Sequence, residues 1–356
     1  MVDIEEETLI EKLSSEGVFT HTFIRMYEMP YLYTPFESIT NAGTEESVRK
    51  ALVRKDLVSL KGTGGSGKTC VAQHVFLTPK EDYFPIVLSP MKENVVSICS
   101  SQEEFTRFAL EQVFNAVSKF TDIDKETKQL VRDALSKKIS FVDVKKKLSL
   151  RIGIHFSILP FLPLIKPELA SDLGTYVQKS LEEKVYNTQR IECIQRLCET
   201  IEEYNIVPVF LIDDTDKFLK HPDLDLSDLV PKFFGLIVPM LSKLECPCII
   251  AAHTYYEQSP SYKECEKNVF DCKVTIPDVR YEALTQIVEK RIQSVEKVSW
   301  NEVFDDNTMN LIYRRYRKTG KLRDPMLLCK LCVDWASQNH VEKISDSVLA
   351  SVLLED

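Results

Sequence analysis

The residues best suited to chemistry lie in a glycine-rich loop. The loop has the pattern G-x-x-x-x-G-K-[ST] and holds four of the chain's 10 glycines. Its glycines let successive backbone N–H groups converge on phosphate oxygens. We predict that Lys68 reaches the β- and γ-phosphates of ATP and that Thr69 ligates Mg²⁺. The residues predicted to bind the nucleotide are Gly62, Thr63, Gly64, Gly65, Ser66, Gly67, Lys68, Thr69 and Cys70.

A pair of acids, Asp213 and Asp214, follows the apolar run at residues 206–212. A continuous apolar run of this kind is typical of a strand buried on both faces of a parallel sheet. Acids at the end of such a strand, downstream of a phosphate loop, can hold a metal ion and activate water. We predict that Asp213 holds Mg²⁺ through water and that Asp214 polarises the attacking water. A solvated turn after the strand is the alternative interpretation.

A second polar strand end is predicted at His253 and Thr254, which follow the apolar run at residues 247–252. Parallel strands present their carboxyl ends at one crevice. His253 and Thr254 are therefore both candidates for a position between the acidic pair and the γ-phosphate.

These residues require a sheet that brings several strand ends together. Apolar runs predict five strands, at residues 57–60, 84–88, 206–212, 247–252 and 273–277. Helical patterns alternate with them, at residues 44–53 (with a capped start at Thr44), 70–76, 101–147 and 181–204. This alternation predicts an α/β fold with a doubly wound parallel sheet. Between the last two helical segments, the apolar and Pro-containing residues 152–167 favour a hairpin or an extended packing segment.

The last quarter of the chain changes character after Arg280. Its apolar spacing predicts four helices, at residues 281–294, 306–317, 325–339 and 345–354. The sequence therefore predicts a small helical domain behind the sheet.

Composition and charge restrict the class of protein. The chain has 356 residues, of which 44% are hydrophobic and 28% charged, and a net charge of −9. We expect a cytoplasmic protein without a membrane partner, because no long apolar stretch occurs and the first residues are acidic. The net charge disfavours nucleic-acid binding by the whole surface. Basic clusters at residues 313–323 and 145–151 are either solvated helix faces or phosphate contacts.

The 10 cysteines are expected to be reduced thiols, since several lie in apolar periodic segments. Cys246 with Cys248, or Cys329 with Cys332, could supply half of a zinc site, but the sequence offers no second pair with histidine at finger-like spacing. Cys329 and Cys332 share one face of a predicted helix. Core packing is the simpler interpretation for them.

The chain resembles the AAA+ family of P-loop ATPases, especially the origin-recognition and archaeal-ATPase-like branch and the neighbouring STAND and KAP groups. The segments that carry the resemblance are 62–69, 211–217, 253–254 and 319–325. The resemblance covers most of residues 36–356. It implies a P-loop core with a small C-terminal helical lid, in which Arg323 senses the γ-phosphate. An ordinary surface arginine is the alternative for Arg323.

The resemblance also divides the chain into domains. It implies an ATPase core over residues 36–280 and a helical lid over 281–356, and the residues before them, 1–35, are predicted from their own pattern to form an N-terminal helical arm. Lys68 and Asp213 are further apart in the sequence than a minimal core requires. A helical and hairpin insertion is therefore predicted at about residues 101–185.

Three departures from the family pattern affect the predicted function. Asp214 stands where the family usually has glutamate, and its shorter side chain predicts slow hydrolysis. Residues 263–270 offer lysines but no arginine finger for a neighbouring subunit. The sequence ends at Asp356, directly after the last lid helix, so no winged-helix module is expected.

We predict an ATPase that uses ATP and Mg²⁺ and acts as a nucleotide-dependent switch on a protein partner or effector. The resemblance fits a role in bacterial defence or signalling. It also fits a homo-oligomer. The alternative is a DNA-associated AAA+ ATPase, such as a loader or a replication- or transposition-type regulator. Its phosphate contacts would be Arg314, Arg315, Arg317 and Lys321. A small-molecule kinase is a third candidate, for which the sequence shows no acceptor pocket.

Overall fold

The computed structural model describes residues 7–19, 28–77, 82–89, 95–136, 187–220 and 226–355. Five parallel strands form one sheet in the order β2-β3-β4-β1-β5. The strands are β1 (Leu57–Gly62), β2 (Tyr83–Leu88), β3 (Val207–Ile212), β4 (Cys248–His253) and β5 (Cys272–Thr275). The predicted parallel α/β sheet is confirmed.

Twelve helices precede or interleave with the strands in the described residues. They are α1 (Leu9–Ser15), α2 (Met29–Leu32), α3 (Phe36–Ile39), α4 (Thr44–Val53), α5 (Lys68–Phe76), α6 (Val95–Ser100), α7 (Gln102–Phe120), α8 (Lys125–Ser136), α9 (residues 187–202), α10 (Leu226–Lys232), α11 (Val238–Leu241) and α12 (Pro260–Asn268). A π-helix, Phe233–Ile237, joins α10 to α11. Short 3₁₀ turns are formed by Thr215–Lys220, Ser242–Leu244 and Thr254–Gln258.

Alternate residues of the central strands enter two hydrophobic cores, one on each face of the sheet. In β3, Val209 and Leu211 enter the first core, whereas Phe210 and Ile212 enter the second. This alternation follows from the two-residue repeat of a strand. The first core also takes residues of α4, α5 and the C-terminal helices, and the second takes residues of α6 to α11. The sheet is thus covered on both faces, as a doubly wound fold requires.

The C-terminal part of the chain is helical, as predicted. Its helices are α13 (Tyr281–Ile292), α14 (Trp300–Val303), α15 (Asp306–Thr319), α16 (Arg323–Gln338) and α17 (Asp346–Glu355). Gly320 ends α15 with a left-handed φ of 64°, a conformation that glycine adopts at little cost. Cys329 and Cys332 are fully buried in α16. Their predicted packing role is confirmed.

The N-terminal residues pack on these C-terminal helices. Ser14 Oγ in α1 donates a hydrogen bond to Asp334 Oδ1 in α16, at 2.9 Å. The buried Arg291 guanidinium in α13 donates to the carbonyl oxygen of Val18, at 3.0 Å. The arm and the C-terminal helices therefore share one core.

Several predicted boundaries were wrong. The predicted helix at 101–147 is two helices, α7 and α8, and its end lies outside the described residues. β5 ends at Thr275, before the predicted residue 277. The cap of α4 is Gly43 and not Thr44, which is the first helical residue. The predicted segment 152–167 and the basic cluster 145–151 lie outside the described residues. Within the described residues, every helix is too short or too polar to serve as a membrane span.

Candidate nucleotide-binding site

The phosphate loop joins the end of β1 to the start of α5. Gly65 and Gly67 have φ values of 79° and 105°, which glycine adopts readily and other residues rarely. A Cβ atom on Gly67 would also lie 3.5 Å from the ring of Phe36. Ser66 Oγ is buried and has no hydrogen-bond partner in the described part of the chain. A strained turn, the N-terminus of α5 and an unpaired hydroxyl therefore meet at one point, and they fit a phosphate.

Lys68 lies inside the loop, with only 6% of its surface exposed. Its Nζ donates hydrogen bonds to the carbonyl oxygens of Gly62 at 3.1 Å and Thr63 at 2.9 Å. Burial lowers the pKa of Lys68, and the charges of Asp216 and Asp213 oppose this shift. Among the described residues, the hydrogen-bond partners of the ammonium group are these two carbonyl oxygens, which phosphate oxygens can replace with a stronger, charge-assisted bond.

Thr69 and Asp213 meet as the sequence predicts. Thr69 Oγ1 donates to Asp213 Oδ2 at 2.9 Å, and the backbone N–H of Asp214 donates to Asp213 Oδ1 at 2.8 Å. Burial raises the pKa of Asp213. A hydroxyl and a carboxylate are hard oxygen ligands that fit Mg²⁺, which usually completes its shell with water and phosphate. Among the described residues, no cluster of three His, Cys, Asp or Glu side chains able to hold a metal occurs.

Asp214 lies beyond the end of β3 with a φ of 63°, a left-handed conformation that aspartate tolerates better than most residues. Its Oδ2 accepts a hydrogen bond from Ser89 Oγ at 3.0 Å. Ser89 follows the end of β2, the strand next to β3. The acidic pair is therefore tied to Thr69 and Ser89, and it is not a simple solvated turn. Sequence reasoning missed Ser89, although its place after a predicted strand could have indicated it.

His253 is the last residue of β4 and is paired in register with Gly62. Its Nδ1 accepts a hydrogen bond from the backbone N–H of Tyr255, at 3.0 Å. This bond fixes the ring at the start of the Thr254–Gln258 turn. The structure thus brings His253 beside the first glycine of the loop, with Thr254 as the next residue. A contact of either one with a γ-phosphate stays a prediction.

The turn between α15 and α16 docks on the phosphate loop. Thr63 Oγ1 donates to the carbonyl oxygen of Gly320 at 2.9 Å. The backbone N–H of Arg323 donates to the carbonyl oxygen of Gly65 at 3.2 Å. A Cβ atom on Gly65 would lie only 3.0 Å from Arg323 Cβ. Arg323 is thus brought to the loop, and its role as a γ-phosphate sensor stays a prediction.

Asp216 is a charged residue of this site that sequence reasoning did not single out. It lies in the 3₁₀ turn after β3. A Cβ atom on Gly64 would lie 2.8 Å from Asp216 Oδ2, so the carboxylate rests against the loop. The signal was present in the sequence, since Asp216 comes two positions after the acidic pair.

Comparison with known proteins identifies the fold. No family model and no curated protein matches the chain. The crystal structure of Cdc6p from Pyrobaculum aerophilum matches with a TM-score of 0.51 at 11% identity, over 96% of this chain and 70% of that one. The Aeropyrum pernix ORC2 protein in its ADPNP–ADP complexes matches with a TM-score of 0.50 at 12% identity, over 95% and 71%.

Identities this low establish the fold alone. They confirm the predicted fold, a P-loop α/β core followed by a helical domain, and its likeness to the Cdc6p and ORC2 structures.

Proposed function

We propose that this chain, which has the AAA+ fold of the origin-recognition branch, binds ATP with Mg²⁺, hydrolyses it slowly and acts as a switch on a protein partner. The observation that best supports the proposal is the meeting of three elements at one loop. Thr69 is hydrogen-bonded to Asp213, which follows β3, and Gly65 is hydrogen-bonded to Arg323 of the C-terminal helices. An ATPase site needs residues that bind phosphate, residues that hold the metal ion and residues of the lid in one place.

The roles of the loop and acidic residues follow from their contacts. The N–H groups at the start of α5 would bind the phosphates, and Lys68 would exchange its carbonyl partners for phosphate oxygens. Thr69 and Asp213 would hold Mg²⁺, which when bound neutralises phosphate charge. Asp214 would orient the attacking water and accept its proton, while Ser89 keeps the carboxylate in place.

The turn between α15 and α16, which docks on the phosphate loop, is the element through which the proposed switch would act. Thr63 and Gly65 belong to the phosphate loop, and each is hydrogen-bonded to the turn between α15 and α16. Nucleotide phosphates in the loop would meet the same residues, so ATP and ADP would favour different positions of those helices. The proposed output is therefore a change in the surface that the C-terminal helices present.

That surface includes a groove of about 540 Å³ between α15, α16 and α17, here named the lid groove. The residues that line it are Leu311, Arg314, Arg315, Arg317, Lys318, Leu328, Asp346, Leu349, Ala350 and Leu353. The groove thus combines apolar side chains with four basic ones. Its one acidic residue, Asp346, already accepts a hydrogen bond from Thr308 Oγ1, at 3.1 Å.

We propose that the partner inserts a segment in which acidic residues flank apolar ones. The basic side chains offer complementary charge, and the leucines offer apolar contact area. Tyr316 of the same basic cluster takes no part, since it is buried and its hydroxyl accepts a hydrogen bond from the Val279 N–H at 2.8 Å.

A DNA-associated ATPase is the second candidate, supported by the same four basic side chains. The groove's apolar leucines do not suit a phosphate backbone. Lys321, another predicted DNA contact, lies at the phosphate loop, where its Cβ is 3.8 Å from the position of a Cβ on Gly65. Both points favour the protein partner.

ATP titration and turnover test the proposed site. Lys68→Ala is expected to weaken ATP binding by about 10- to 100-fold, because it removes a charge-assisted bond. Asp214→Asn is expected to bind ATP normally and to lose about 100-fold or more in turnover, because it removes the base. Glu257→Gln, which alters a half-exposed partner of Lys61, serves as the control and should change neither quantity. Equal loss of binding in the two site variants would show that Asp214 is not the base.

A further inference from the structure

We infer that Asp216 discriminates between nucleotides by weakening the binding of ATP relative to ADP. The inference rests on the proposed nucleotide site and assigns to it a specificity-determining residue. No step of the proposed hydrolysis uses Asp216.

The first argument is the contact of Asp216 with the loop. A Cβ atom on Gly64 would lie 2.8 Å from Asp216 Oδ2 and 3.8 Å from its Cγ. The shorter distance is closer than a carboxylate oxygen and a carbon atom can pack. Gly64 does not have a positive φ, so its backbone conformation would admit other residues. The absence of a Cβ atom at Gly64 leaves room for the carboxylate, and any larger residue would force the carboxylate to shift.

The second argument is the anchoring of the Asp216 turn. Thr215 is fully buried, and its Oγ1 donates a hydrogen bond to the carbonyl oxygen of Ala251 in β4. The hydroxyl of the buried Tyr256 donates to the carbonyl oxygen of Thr215. These buried bonds join the residue before Asp216 to the sheet, so the backbone that carries the carboxylate is held near the loop.

The third argument is the distribution of charge around the loop. Asp216 is the acid that raises the pKa of Lys68 most, ahead of Asp213, against the larger effect of burial. On the other side, Arg323 packs over Gly65. Residues 64 and 65 therefore lie between an acid of the core and a base of the C-terminal helices.

These charges act differently on the two nucleotides. Both nucleotides place a β-phosphate in the loop, and the γ-phosphate of ATP adds further negative charge beside it, near Lys68. Asp216 repels that added charge, whereas Arg323 attracts it. With the C-terminal helices docked, the two effects offset each other. When those helices and Arg323 move away, the repulsion from Asp216 remains, and the open site favours ADP.

The test compares the dissociation constants of ADPNP, a non-hydrolysable ATP analogue, and of ADP, by calorimetry with Mg²⁺ at fixed ionic strength. Asp216→Asn keeps the side-chain shape and removes the charge. We expect ADPNP affinity to rise about 10-fold and ADP affinity to change less than about 3-fold, as expected for partly screened repulsion over a few ångströms. Glu257→Gln removes one charge from another turn at the strand ends and should leave both constants within about 3-fold.

A second variant tests the contact without removing the charge. Gly64→Ala places a methyl group where the Asp216 carboxylate rests. It is expected to raise the ratio of ADPNP to ADP affinity in the wild-type background and to leave that ratio unchanged in Asp216→Asn.

The outcomes separate the inference from the proposed function. An unchanged ratio in Asp216→Asn, or equal gains for both nucleotides, would overturn the inference and leave the nucleotide site intact. A wild-type chain that binds neither nucleotide would contradict the proposed function, and the inference with it.

Discussion

Asp213 would hold a metal ion as the ionised carboxylate, and its burial makes that charge costly. Burial raises the pKa of its carboxyl, and the charge of Asp214 adds to this, while hydrogen bonds from Asp214 N–H and Thr69 oppose it. A raised pKa means that the folded state binds the proton more tightly than the unfolded state does. The ionised carboxylate therefore lowers stability, and the cost grows as pH rises from the ordinary pKa of 3.8 through the folded value.

Asp213→Asn is accordingly expected to raise the midpoint of thermal unfolding at pH 7 without nucleotide, by about 1 to 2 °C for each kcal/mol relieved. The gain should shrink as the pH is lowered, because Asp213 in the wild type then takes up a proton. Thermal scans of both proteins over a pH series provide the measurement. A lower midpoint for the variant at pH 7 would show that the hydrogen bonds to Asp213 outweigh the cost of burial.

The sequence predicted the residues whose type and spacing carry the chemistry by themselves, such as Lys68, Thr69 and Asp213. It did not predict Ser89 or Asp216, because their roles come from contacts between elements. Ser89 and Asp214 are 125 positions apart. No local sequence pattern predicts that β2 and β3 end next to each other in the sheet.

Among the elements, strands were easier to predict than the helices between them. The central strands β3 and β4 are continuous apolar runs, as burial on both faces requires, whereas the edge strand β5 has an exposed lysine and an exposed threonine on either side of its buried valine. The helices between β3 and β4 were missed. This segment contains Pro231, Gly235 and Pro239, which normally interrupt a helix. The chain accommodates them with a π-helix between α10 and α11, an arrangement that propensity alone does not predict.

The lid groove gives a prediction at the scale of elements, since three helices form it. The probes are a labelled synthetic helical peptide with leucine on one face and glutamate on the other, and a single-stranded oligonucleotide of equal charge. Leu353→Asp should weaken peptide binding about 10-fold, because it places a charge in the apolar part of the groove. Fluorescence anisotropy measures both affinities.

The neighbouring residue supplies the control for the groove. Leu354 is 87% exposed, and Leu354→Asp should leave peptide binding unchanged. Absence of peptide binding, or equal effects of the two substitutions, would contradict the proposed partner. Oligonucleotide binding that Arg314→Glu removes and Leu353→Asp does not would favour the DNA-associated alternative.

At the scale of the whole molecule, the question is whether one chain completes its own site. Residues 263–270, in and after α12, contain lysines and no arginine, so this segment supplies no arginine finger to a neighbour. We expect ATP turnover per chain to be independent of protein concentration. Turnover over a 100-fold concentration range, with mass by light scattering with and without ATP, tests this. A steep rise in turnover on assembly would show that a neighbouring chain contributes to the site.

The bond between α1 and α16 has a consequence for the synthesis of the chain. Ser14 leaves the ribosome 320 residues before its partner Asp334. During translation, the apolar face of α1 therefore has no packing partner in α16 while the whole sheet is synthesised and folds. Contacts of such long sequence separation form late, because a large loop must close first. The helices that dock on the phosphate loop thus gain their full support only after Asp334 has been synthesised, and the proposed switch would become responsive after the core has already formed.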